Sequence, residues 1–161
     1  MTAYRAVSTL LLISGLLLSA LAPGGPIETR DFSHILGLVL GAFNGFLTVL
    51  GLGSFVLAWL VLKQQCRWYW PFLTGVGYFL VYGLDLLGVF PVSPSPMSQA
   101  LWSIEVAGMI VSLPLMTLSG MNLQHIEQID NPASVPSAAW IVAVAIGVLI
   151  VGFTTIAAMG G

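Results

Sequence analysis

The sequence predicts an all-α fold: a polytopic membrane protein built as a bundle of five transmembrane helices. Three observations predict it. Of 161 residues, 58% are hydrophobic and 6% charged, where an average soluble domain is about 25% charged. Mean hydropathy is +1.01. The apolar residues are gathered into five runs close to the roughly 20 residues that a bilayer-crossing helix needs. Six acids and four bases cannot clothe a soluble globule, and they leave no basic face for nucleic acid. The single cysteine, Cys66, excludes an intramolecular disulfide and a paired-thiol redox site.

The predicted spans are residues 6–22, 33–62, 70–90, 100–119 and 138–159, so residues 1–161 form one transmembrane helical domain. The first span also has the form of a secretory signal: Arg5, an apolar stretch, then Ala20-Leu21-Ala22. Pro23 directly after that site argues for a retained helix, and cleavage would leave four. Span two is about 30 residues, longer than the hydrocarbon core at 1.5 Å per residue, so tilt, a bend near Gly51 and Gly53, or protrusion is expected. Trp68, Tyr69 and Trp70 beside Arg67 read as an interfacial anchor for span three. Cys66 in the same stretch reads as an unmodified thiol or a palmitoylation site. Residues 91–99 carry Pro91, Pro94 and Pro96, which end span three and make spans three and four antiparallel neighbours. Pro114 inside span four leaves the Ile110 carbonyl without its usual donor. In the loop 120–137, Leu123, Ile126 and Ile129 recur as on a short interfacial helix.

Lysine and arginine set the expected orientation. Arg5, Lys63 and Arg67 fall on one side of a five-span chain and Arg30 on the other. This places the protein in the cell's inner (plasma) membrane, N-terminus cytoplasmic and C-terminus outside. Small residues recur every fourth position at Gly37, Gly41 and Gly45, at Ala139, Ala143 and Gly147, and at Gly15 and Ser19. Such faces let helices approach backbone to backbone. They serve packing within the chain, self-association, or docking into a larger membrane complex.

Ionisable groups within spans are functional candidates, and the spans hold two, Asp85 and Glu105. Each is five residues from the predicted outer end of its span, about 7–8 Å below the boundary. Tyr78 and Tyr82 share the face of Asp85, and Trp102, Met109 and Ser112 that of Glu105. On span two, His34, Gly41, Asn44, Gly45 and Thr48 share a face, with Arg30 and Asp31 just outside. Two close carboxyls form a protonatable pair, or a site for a cation, a basic ligand or a lipophilic ligand held by aromatic rings. The plainer alternative ties each carboxyl to Arg30, His34, a tyrosine or backbone, as a brace of helix register.

No catalytic residue, cofactor or metal is assigned. His34 and His125 lie a membrane thickness apart and cannot share a haem, though a lone axial histidine stays open. HExxH, GxGD and GxSxG patterns are absent, as is a DxxD diphosphate site. His125, Glu127 and Asp130 offer a weak metal constellation. The leading expectation is a non-enzymatic subunit or scaffold. The alternative is an ion-, proton- or lipophilic-ligand-handling protein using Asp85 and Glu105. A third reading is a membrane enzyme acting on a lipidic substrate.

Overall fold

The computed structural model describes residues 2–123 and 137–159. It has five α-helices: α1 (Thr2–Ala20), α2 (Gly37–Leu62), α3 (Tyr69–Leu86), α4 (Gln99–Met121) and α5 (Ser137–Ala158). No strand occurs among the described residues. Three helices, over Ala3–Ala20, Gly37–Leu62 and Gln99–Met121, are long and apolar enough to cross a membrane. The expected interfacial helix after Met121 and the His125, Glu127, Asp130 constellation lie outside the described residues, as do the side chains of Ala139 and Ala143.

The buried positions explain why the helices pack as they do. Buried residues step by four and three along each: Val7, Leu11, Ser14 and Leu18 on α1, and Pro71, Gly75, Tyr78 and Tyr82 on α3. On α4 they are Leu101, Glu105, Gly108, Ser112, Leu115 and Ser119. That spacing is the seam of knobs-into-holes packing. The expected α4 face is thus rotated by one residue at two positions. Leu101 and Gly108 are buried where Trp102 and Met109 were expected, because the Tyr82 ring occupies the room above Gly108. A Cβ there would stand 2.6 Å from Tyr82 Cζ.

Neighbouring helices run antiparallel. Ser8 Oγ donates to the Ala58 carbonyl at 3.0 Å while Gly15 faces Gly51 and Phe55, so α1 and α2 run in opposite directions. Gly75 faces Met116 and Gly108 faces Tyr82, so α3 and α4 do likewise. Gly37 faces Met159, Gly41 faces Thr155 and Gly147 faces Thr48, so α5 returns along α2. The glycine stripe of α2 therefore holds α5 through Gly37 and Gly41, whereas Gly45 has nothing within 4 Å of its would-be Cβ.

Helix ends depart from the sequence expectation where turn chemistry overrides hydropathy. α3 stops at Leu86, not at 90, because Gly88 takes φ +64. Its N–H donates to Asp85 O at 2.8 Å, and the Val89 N–H to Leu84 O at 2.9 Å, a Schellman termination. α2 begins at Gly37, not at 33. The Asp31 carboxylate accepts from Ser33 N–H at 2.8 Å and Ser33 Oγ at 3.1 Å, and this Asx turn diverts the backbone from helix. His34 accordingly lies in an exposed turn, not on α2.

At the opposite end of the bundle Trp68 is 5% exposed, its ring 4.8 Å from Tyr4. Tyr69 and Trp70 are the outward-facing pair of the aromatic triplet. Burial pushes the Cys66 thiol up to about 11.

Two outcomes follow. Gly108→Ala should cost about 1–3 kcal/mol through overpacking against Tyr82, while Gly83→Ala, which meets nothing within 4 Å, should leave the thermal midpoint unchanged or higher. Alkylation of Cys66 at pH 8 should be about a hundredfold slower in the folded protein than in the unfolded one, because thiolate is the reactive form. The rate should climb as pH rises towards the folded pKa.

Candidate functional site

Three acids and one base of the described chain meet at one end of the bundle. Asp85 lies in the last turn of α3, where the helix dipole disfavours a carboxylate and a cation is needed beside it. Glu105 lies in the second turn of α4, whose start is fixed by Ser98 Oγ accepting the Leu101 N–H at 3.1 Å. The antiparallel register brings these two turns side by side.

The cation comes from the α1–α2 connection. Phe32 anchors that segment: it is 2% exposed, packs with Leu40 and Ala158, and its N–H donates to the Ala158 carbonyl at 3.0 Å. Ser93 Oγ donates to Asp31 O at 3.2 Å, tying the segment to the α3–α4 connection. Arg30 is thereby turned inward, its Cζ 5.2 Å from the Phe32 ring centre. Its guanidinium forks onto Asp85, Nη1 to Oδ1 and Nη2 to Oδ2, both at 2.8 Å. Behind it Glu28, 6% exposed, accepts from Nε at 2.9 Å and from Nη2 at 2.6 Å. Burial alone would lower the Arg30 pKa. Its hydrogen bonds to Asp85 and Glu28, with their charges, outweigh burial and raise it, so the guanidinium stays charged. Asp31 remains exposed, its carboxyl held below the usual range by the two Ser33 hydrogen bonds.

Glu105 is the group left over. Its side chain is 1% exposed, and Oε1 stands 3.8 Å from Arg30 Nη2, beyond hydrogen-bond reach. Oε2 has no hydrogen-bond partner, and neither has the hydroxyl of Tyr82, itself 1% exposed. With every group ionised, three carboxylates against one guanidinium leave two surplus negative charges. Both unpartnered side chains line a cavity of about 120 Å³, together with Glu28, Arg30 and Asp85. The remaining wall is mostly apolar, drawn largely from α1, α2 and α5 with Val81 of α3 and the connecting segments.

The structure gathers Arg30, Asp85, Glu105, Tyr82 and Asn44 around this cavity. Asn44 Nδ2 donates to Thr155 Oγ1 at 3.2 Å. Tyr78 is buried one turn away, stacked on Tyr82 at 6.0 Å and hydrogen-bonded to Ser54 Oγ at 2.8 Å. It supports the site without lining it. Trp102, 54% exposed, faces outward, and His34 is exposed in its turn; neither joins the site. Sequence reading passed over Glu28. Its signal was the spacing Glu28-x-Arg30, which lets one side chain fork onto the other. Among the described residues no three metal-ligating side chains converge.

Replacing Arg30 by Gln should destabilise the protein by about 3–5 kcal/mol, because it strands buried carboxylates without their counter-charge. The loss should shrink when Asp85→Asn is added, and the thermal midpoints of the two singles and the double report that coupling.

No curated protein and no solved structure matches the chain. A family model does match, over residues 3–134, from α1 to beyond α4 and including Glu28, Arg30, Asp85 and Glu105. The chain belongs to the family described as Domain of unknown function (DUF8051).

Proposed function

We propose that the chain is a small multi-pass membrane protein, a single domain of five spans, that binds a small cationic species, a proton included, in the pocket at the charged end of its bundle. One observation carries the reading. Glu105 occupies a core position on α4, is 1% exposed, lines the cavity, and keeps one buried oxygen without a hydrogen-bond partner. A buried carboxylate without donors is costly, and a brace of helix register would show those bonds made. Asp85 is such a brace, its two oxygens taken by Arg30.

The charge distribution supports an orientation. Arg5, Lys63 and Arg67 are exposed at the end opposite the pocket. By the positive-inside tendency that end is cytoplasmic, and the pocket opens to the outside of the inner (plasma) membrane. The C-terminus then lies outside. A scaffold role, through self-association or a larger membrane complex, is the second reading. It is favoured by Gly45, the one glycine of the α2 stripe with no neighbour.

Glu105→Gln separates the two. On the pocket reading the neutral amide removes a desolvated charge that no donor satisfies, and the ligand-free protein gains about 1–3 kcal/mol while cation binding is lost. A loss of stability of that size would make Glu105 a structural brace and overturn the reading. Gly45→Leu, in contrast, should leave the pocket intact and change only the mass of complexes recovered from membranes.

A further inference from the structure

We infer that the pocket takes a small primary amine with a short apolar body, its ammonium at the end of the cavity lined by Glu105 and Tyr82. The inference rests on the pocket reading above and names its ligand class. Three observations converge on it. The surplus of carboxylates over guanidinium at the polar end selects a cation and rejects an anion. Glu105 and Tyr82 both line the cavity, and each keeps a buried oxygen that can accept from an N–H donor and has no partner. An ammonium supplies such donors in several directions at once. The rest of the wall includes Leu40, Phe43, Leu47, Leu52, Val81 and Ile150, which matches a hydrocarbon body.

Several other donors on the wall are already engaged. Asn44 donates to Thr155, Thr48 Oγ1 to the Asn44 carbonyl and Thr154 Oγ1 to the Ile150 carbonyl. A bare metal ion fits poorly: hard cations take six or more oxygens, whereas Asp85 and Glu28 are committed to Arg30 and the remaining wall is mostly hydrocarbon. Size bounds the body. A cavity of about 150 Å³ accommodates benzene, so about 120 Å³ suits a ligand of about five non-hydrogen atoms.

Four probes of that size separate charge, donors and shape: n-butylammonium, tetramethylammonium, n-butanol and butyrate. Each is titrated against the full chain in lipid nanodiscs, and the shift in thermal midpoint is followed to saturation. Butylammonium should raise the midpoint saturably. The other three should bind at least about tenfold more weakly, since each lacks the N–H donors that the acidic groups demand. Glu105→Gln should weaken butylammonium by about tenfold or more, and Tyr82→Phe by a smaller factor. Equal binding of tetramethylammonium would mean that the site reads charge alone, and equal binding of butanol that it reads shape alone; either overturns the amine assignment. So does an unchanged response in Glu105→Gln. If butylammonium does not bind while Glu105→Gln still stabilises the ligand-free protein, the amine is excluded and the pocket reading stands with a proton as its cation. If that substitution destabilises, both fall.

Discussion

The structure turns on one guanidinium. Arg30 reaches from the α1–α2 connection into the end of the bundle, forks onto Asp85 at 2.8 Å and is clasped from behind by Glu28. In a low-dielectric interior a carboxylate at a helix C-terminus is penalised by desolvation and by the dipole alike. Arg30 offsets both, and α3 can therefore carry Asp85 in its last turn. The same contact fixes where the connection lies, and so where Phe32 plugs the gap between α2 and α5. Once Arg30 is committed to two carboxylates, the third, Glu105, has its ion-pair neighbour at 3.8 Å and one oxygen without a hydrogen-bond partner. With every group ionised, the charge balance at this end of the bundle does not close.

Packing supplies the precision that this arrangement needs. Small residues let helices approach backbone to backbone. Gly108 gives the Tyr82 ring its place, and Gly75 admits Met116. These contacts fix the register of α3 against α4 and so hold the turn of Asp85 beside the turn of Glu105. Tyr78, bonded to Ser54 on α2, stacks on Tyr82 and limits where its hydroxyl points. Packing and charge thus act on the same few residues.

The helical class and the order of the five helices were legible in composition and run length, because hydropathy at this scale has few other meanings. The antiparallel pairing of α3 and α4 followed from the prolines between them. Helix ends were less legible. An apolar run continues to Phe90, yet Gly88 in the left-handed region ends the helix at Leu86, and a local backbone preference outranks hydropathy there. The face of α4 was read one residue off because helical spacing from Glu105 admits Trp102 and Met109 as readily as Leu101 and Gly108, whereas steric room for Tyr82 selects Leu101 and Gly108 for the seam. The inward turn of Arg30 was the least legible feature. Positive residues flanking a span ordinarily mark its boundary, and only the long-range anchor of Phe32 on Ala158 redirects this one.

The central claim is that Arg30 is spent on Asp85 and Glu28, leaving Glu105 without a donor. Solid-state NMR on the protein in bilayers, with 15N on the Arg30 guanidinium and 13C on side-chain carboxyls, measures this directly. Strong dipolar coupling from Arg30 to Asp85 and Glu28 is predicted, with a distinctly weaker one to Glu105, in keeping with contacts of 2.8 and 2.6 Å against 3.8 Å. Coupling to Glu105 as strong as that to Asp85, or none to either, would contradict the account.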